Sequence, residues 1–527
     1  MKTAFLSTRV FTGDSARPWA QGLAVDGGRI VAVGADEDVR AVTDDSWEVL
    51  SLPGRLVVPG LVDSHTHFLS LGRTFQWVDL RDLPSLEACR EAVSRKAKQM
   101  PPGKWVIGRG WDHHKWEQPR QPTRTDLDDI TPHNPAAMIR ACGHSVWVNS
   151  LALKEAGIGR DTPDPEGGRI ERMPDGEPSG LILEAIELIR DHIPEPTEEE
   201  LDNAALAAQE AALSAGLAGV HTCEHLADWK VLDRLDRRGR LKMRVYHLIR
   251  PEDLTEARER GLAPGAGSER LWFGHVKLFA DGSMGASTAL MHEPYADSPE
   301  NPGIAVLAPT ALRDHIRAAY AAGWDVAVHA IGDAALTNVL DAIEAARQQH
   351  PGPHRDRVEH VQLFRPEDLS RMQRLGITAS VQPVFVDTDW KPAQEKWGLE
   401  RCRNAYAWKT ITAAGIPVQF GSDTPVEPIN PLFGLYAAVT RQDRRGEPPG
   451  GWFPDQRLSL EEALAGFSRQ AAWTAGREDD LGFIAAGRRA DLTVFEQDLF
   501  SLPPERWLEA AVYMTVVDGE IAYRAPR

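Results

Sequence analysis

Four histidines, one lysine and one aspartate fall where a chemical site would need them. Asp63-Ser64-His65-Thr66-His67 closes an apolar run. His65 and His67 are two apart, so in extended backbone both rings point to one face. Lys277 sits within the apolar stretch HVKLFADGS. An ammonium there is costly unless it is neutralised or modified. His329 lies in VAVHAIGD, His360 ends RVEH, and Asp423 follows QFGS. Taken singly, each has an ordinary reading: a satisfied core histidine, or a Gly-Ser-Asp turn. Taken together, His65, His67, Lys277, His329, His360 and Asp423 form a set of nitrogen and oxygen donors suited to a transition metal.

The elements that would position these residues are legible as alternating patterns. Strand-like runs lie at 56–64, 218–223, 243–249, 275–280, 325–330, 357–362, 377–382 and 417–421. Helix-like stretches such as 197–215 and 310–322 separate most of them. Near-continuous apolar strands alternating with helices indicate a parallel sheet. Eight such units predict an α/β fold, a (β/α)8 barrel, whose site lies at the C-terminal ends of the strands. The first two runs are separated by roughly 150 residues, too many for a plain crossover. An insertion over 75–195, rich in Trp, Pro, Asp and Gly, is expected there, over the barrel mouth. Both ends of the chain read as β structure. GLAVDGGRIVAVG carries a hairpin signal, and the 511–523 stretch (AVYMTVVDGEIAY) carries another at Asp518-Gly519. The expected arrangement is a composite β-sandwich from residues 1–55 and 471–527, with the barrel spanning 56–470.

Composition narrows the class. The chain has 527 residues, 59 Lys and Arg against 77 Asp and Glu, and a formal net charge of −18. That balance argues against nucleic-acid binding, which needs basic patches, and against an anionic membrane surface. No apolar run is long enough to span a bilayer, and the first residues lack a signal-peptide pattern. Cys89, Cys142, Cys223 and Cys402 are widely spaced, which fits reduced thiols. The expectation is a cytoplasmic protein acting on a small molecule.

The motifs then resemble a known family. VVPGLVDSHTHF, the buried Lys, the two later His, GSDTP and the terminal GFIAAGRRADLTVF are similar to the amidohydrolase superfamily of metal-dependent hydrolases, over nearly the whole chain. GRGWDHHKW, PTRTDLD, CGHSVWVNS, DGEPSGLILEA and KLFADGSMGASTAL resemble the branch that holds N-substituted formamide deformylase and the YtcJ-like proteins. The resemblance implies that His65, His67 and Asp423 bind one metal and His329 and His360 a second. It implies that Lys277 is carboxylated and bridges the two, and that Asp423 is the general base for a metal-activated hydroxide. The implied reaction is hydrolysis of a C–N bond in an amide, N-substituted formamide or cyclic amide. Zn is the expected metal, with Mn, Fe, Co or Ni compatible with the same donors. Glu184 is the alternative ligand, in which case Lys277 stays an amine. The rival readings are a mononuclear deaminase of the same fold, a carbamate or ester hydrolase, and last a non-enzymatic binding protein.

Within the insertion, the branch motifs suggest that His144, Trp111 and Asp112 face the substrate, with His144 catalytic. Trp77, Trp105, Trp111, Trp116 and Trp147 fall in or near it, as an aromatic-lined mouth for an apolar or aromatic group would require. Asp281, Tyr295 and Glu427 are expected to support the site. A homodimer is implied by resemblance alone.

Overall fold

The structure, a computed structural model, describes residues 2–141, 145–165 and 168–526. The chain forms two units: Met1–Leu69 with Ala205–Arg527, and Ser70–Ala204.

The first unit is built on an eight-stranded parallel sheet. In spatial order its strands are Leu61–Thr66, Leu217–Cys223, Arg244–Ile249, Leu271–Phe279, Val326–Ala330, Arg357–His360, Thr378–Val381 and Val418–Phe420. Most positions in these strands are buried, as expected for a sheet covered on both faces. Helices follow the strands, among them Leu226–Arg237, Pro309–Ala321, Asp333–Gln349 and Pro366–Leu375. The edges of the sheet approach each other at their C-terminal ends. There the Asp423 N–H donates to the His65 carbonyl (2.7 Å) and the His67 N–H to the Thr424 carbonyl (2.8 Å). Barrel closure thus runs through His65, His67 and Asp423, three of the residues that stand out in the sequence.

The expected first strand, 56–64, is two strands in two sheets. Leu56–Pro59 leaves the barrel and joins a six-stranded sheet, parallel to Arg9–Phe11 and antiparallel to Leu492–Phe495. Leu61–Thr66 alone is the barrel strand. The hinge is Gly60, where a Cβ would lie 2.8 Å from both the Ala218 and Asp491 Cβ atoms. The remaining strands of that sheet include Val512–Val517 and Glu520–Arg524, and a four-stranded sheet is built from residues between Lys2 and Ser51. Phe5, Leu23, Val57, Leu492, Val494 and Met514 share one core. A buried ion pair ties this layer to the barrel: Arg244 Nε and Nη2 lie 2.5 and 2.9 Å from Asp491. Removing one partner of such a pair costs about 3–5 kcal/mol.

The second unit carries a six-stranded mixed sheet, ordered Arg169–Arg172, Pro178–Leu183, Ser145–Val148, Ala136–Arg140, Val106–Trp111, Val78–Asp79. Helix Leu86–Ala97, capped by the Ser85 side chain on the Ala88 N–H, contributes Cys89, Val93 and Ala97 to one core. Trp111, Trp116 and Trp147 belong to the same core. Among the described residues no helix is long and apolar enough to cross a membrane, and Cys89, Cys223 and Cys402 are buried free thiols.

Candidate metal centre

The first barrel strand ends on the histidine pair. Asp63 is buried, and its Oδ1 accepts from the His65 N–H (3.1 Å) and the Ser422 N–H (2.9 Å), pinning the first strand to the chain after the eighth. Burial pushes the Asp63 carboxyl up to about 7. Gly421 is required at this closure: a Cβ would stand 2.6 Å from the His65 nitrogen and 2.9 Å from Asp63 Oδ1.

Each of the four histidines has one ring nitrogen engaged. His65 Nδ1 meets Glu359 Oε2 at 2.6 Å, and His67 Nδ1 meets the Cys223 carbonyl at 3.1 Å. His329 Nε2 meets the Gly282 carbonyl at 2.9 Å, and His360 Nδ1 meets Gln382 Oε1 at 2.7 Å. This leaves His65 Nε2, His67 Nε2, His329 Nδ1 and His360 Nε2 as donor atoms, the arrangement of metal-ligating imidazoles held by outer partners. His65 Nε2 and His67 Nε2 lie 3.5 and 3.3 Å from Asp423 Oδ1, and these three residues can place ligand atoms within 4.8 Å of one another. The ring centroids of His65 and His360 are 5.0 Å apart, and those of His329 and His360 are 4.5 Å apart.

Two of these residues hold unusual backbone. His360 has φ 77° and Asp423 φ 62°, in the left-handed region that non-glycine residues seldom enter. Such strain costs about 1–3 kcal/mol per residue and clusters at functional sites.

Burial governs the charges. It pulls the His65 and His360 imidazoles below their ordinary values, with help from neighbouring cationic groups, and pushes His329 down to about 3. Neutral imidazole is the form that binds a metal. Burial alone would raise Asp423, but the surrounding histidines outweigh it and keep the carboxylate ionised. Lys277 is fully buried, and its Nζ has no hydrogen-bond partner among the described residues. Burial drags its ammonium below the ordinary lysine value. An orphaned buried amine beside four imidazoles and a carboxylate fits a metal centre in which that amine is modified. A bare ammonium would repel the cation.

Residues 48–523 match Amidohydro_3, the amidohydrolase family. The chain belongs to the amidohydrolase family. One relative, the amidohydrolase YtcJ of Bacillus subtilis (strain 168), is 34% identical over 98% of both chains. N-substituted formamide deformylase of Arthrobacter pascens is 29% identical over 98% of this chain and 97% of its own. A crystal structure of an uncharacterized metal-dependent hydrolase from Pyrococcus furiosus superposes with TM-score 0.79 at 32% identity, covering 96% of this chain and all of that one.

The expected substrate-facing residues divide. Trp111 is 1% exposed, and its indole N–H donates to the Met138 carbonyl at 2.7 Å, so it packs in the core of the second unit. Asp112 caps the turn His113–Lys115 and pairs with Arg140 at 3.1 Å. Trp77 and Trp105, in contrast, line an open cleft of about 470 Å³ within that unit, with Ile107, Ile139 and Val146. Glu184 is exposed with φ 55°, just beyond strand Pro178–Leu183, and belongs to none of the His/Cys/Asp/Glu groups close enough to share an ion among the described residues. His144 lies outside the described residues.

The supporting residues have definite contacts. Asp281 accepts from the Leu290, Ile331 and Gly332 N–H groups (2.8–3.1 Å), tying the loop after Lys277 to the fifth strand. The Tyr295 hydroxyl donates to the Ala289 carbonyl in the same loop. Glu427 accepts from Thr388 Oγ1 at 2.8 Å, and burial pushes its carboxyl up to about 7. This has a sign. Between pH 4.5 and 7 the unfolded chain has released the Glu427 proton while the folded one keeps it, so stability from this group falls as pH rises through that window. Glu427→Gln is therefore expected to flatten the decline in melting temperature across it, measured by thermal unfolding at a series of pH values. Parallel curves would show that Glu427 does not titrate there.

Proposed function

We propose that the protein is a metal-dependent amidohydrolase that cleaves a C–N bond in an amide, N-substituted formamide or cyclic amide. The observation that carries this is the convergence of four imidazoles, each anchored through its other nitrogen, on Asp423 and a buried Lys277 whose amine has no hydrogen-bond partner among the described residues. His65, His67 and Asp423 would hold one divalent ion, His329 and His360 a second, and a carboxylated Lys277 would bridge them. Zn is the first choice, and Mn, Fe, Co and Ni suit the same ligands. Such ions, when bound, supply Lewis acidity toward the carbonyl oxygen and acidify water.

The chain's own groups do the rest. Asp423 accepts the proton of the attacking water as its oxygen bonds to the carbonyl carbon. It returns that proton to the leaving nitrogen as the C–N bond breaks, giving a carboxylic acid and an amine. The anchored rings of His65, His67, His329 and His360 keep the donors in place without reorganisation. Carboxylation resolves the Lys277 problem, because it replaces a desolvated cation by an anionic oxygen ligand.

The test is elemental analysis of protein purified without added metal, with hydrolysis of N-formyl and N-acyl aromatic amines assayed before and after a chelator. The expected result is two metals per chain, activity lost to the chelator and restored by Zn²⁺. One metal per chain would favour a mononuclear, deaminase-like centre. No metal and no metal-restored activity would defeat the reading.

A further inference from the structure

Beside the candidate metal centre, a line of buried polar groups runs on through the barrel interior from the anchor of His65. Glu359 stands between two neighbours: its Oε2 is 2.6 Å from His65 Nδ1, and its Oε1 is 2.6 Å from Arg357 Nε. Both Glu359 and Arg357 are 0% exposed. Arg357 Nη1 in turn donates to His221 Nδ1 at 2.9 Å, and His221 is itself buried. A guanidinium can only donate, so His221 Nδ1 must accept and that ring is neutral. An ionised carboxylate can only accept, so His65 Nδ1 must carry the proton. The Arg357 guanidinium, a permanent cation 2.6 Å from Oε1, favours the accepting carboxylate form of Glu359.

The four ring anchors are not equivalent. His67 and His329 lean on backbone carbonyls and His360 on an amide oxygen, whereas His65 leans on a full negative charge. A charge-assisted hydrogen bond is roughly twice as strong as a neutral one, and it makes the far nitrogen more basic. We propose that Glu359, held by Arg357, is a positioning residue that locks His65 in its Nδ1–H form and makes His65 Nε2 the strongest imidazole donor of the centre. The inference rests on the metal-centre reading above.

The test is a competition titration of Zn²⁺ against a chromophoric chelator for wild type, Glu359→Gln and Glu359→Asp, each checked for folding by circular dichroism and melting temperature. Glutamine keeps the volume and an acceptor oxygen but removes the charge. The folded Glu359→Gln variant is expected to bind Zn²⁺ about 10–100-fold more weakly, with Glu359→Asp recovering part of the loss. Affinity within about threefold of wild type in folded Glu359→Gln would overturn the inference, since outer partners of this kind normally exceed that. Should Glu359→Gln fail to fold, ¹⁵N-histidine NMR of zinc-loaded wild type decides, with the His65 signal identified by its absence in His65→Gln. A protonated Nδ1 supports the assignment and an unprotonated one overturns it. Wild type that binds no Zn²⁺ would defeat the metal-centre reading itself.

Discussion

Lys277→Met is expected to yield a metal-free protein that is more stable than wild type and almost without activity. The physical basis is the solitary position of the amine: Lys277 is 0% exposed, and its Nζ has no hydrogen-bond partner among the described residues. Leaving a buried polar group unpaired costs about 1–3 kcal/mol, and more if it is charged. Methionine fills a similar volume with no polar atom, so in the absence of metal it relieves that cost. The melting temperature of the metal-free variant should rise by about a degree or more. Turnover should fall roughly a thousandfold, the scale of losing charge stabilisation at a reacting centre. Differential scanning calorimetry of both metal-free proteins, with kcat after reloading Zn²⁺, checks both halves. A variant that melts lower yet keeps its activity would make Lys277 a structural residue.

Asp423→Asn separates proton transfer from architecture. The carboxylate lies 3.3 and 3.5 Å from two imidazole nitrogens, while the backbone of the same residue closes the barrel through its N–H to His65. The substitution leaves that backbone bond and a side-chain carbonyl able to face a metal, but it removes the base. kcat is expected to fall by about 10²–10⁴, the range for loss of a general base. Circular dichroism should be unchanged, and metal content should persist at saturating Zn²⁺. Near-normal kcat in a metal-loaded Asp423→Asn protein would place the base elsewhere.

Much of this arrangement is readable from spacing because the barrel strands are buried on both faces and stand out as apolar runs. Seven of the eight runs coincide closely with barrel strands. The eighth, 56–64, misleads because LVVPGLVDS is apolar throughout, and only the close quarters at Gly60 reveal a passage from one sheet to another. Glu359 was illegible for a different reason. Regular alternation would put Arg357 and Glu359 on one face and His360 on the other. The φ of 77° at His360 breaks that alternation, so that Glu359 meets His65 Nδ1 while the His360 ring lies 5.0 Å from the His65 ring. Trp111 shows the limit of composition: a tryptophan in a binding-like motif is here a core residue with a satisfied indole.

The pairing of Leu56–Pro59 with Leu492–Phe495 also bears on how the chain is made. More than four hundred residues separate the two strands. A ribosome adding about 5–20 residues per second leaves the earlier strand without this neighbour for roughly 20–90 s. Throughout that time Val57 and Val58 present an unpaired β edge, the kind of surface that templates aggregation. The six-stranded sheet is therefore among the last parts of the molecule that synthesis can complete.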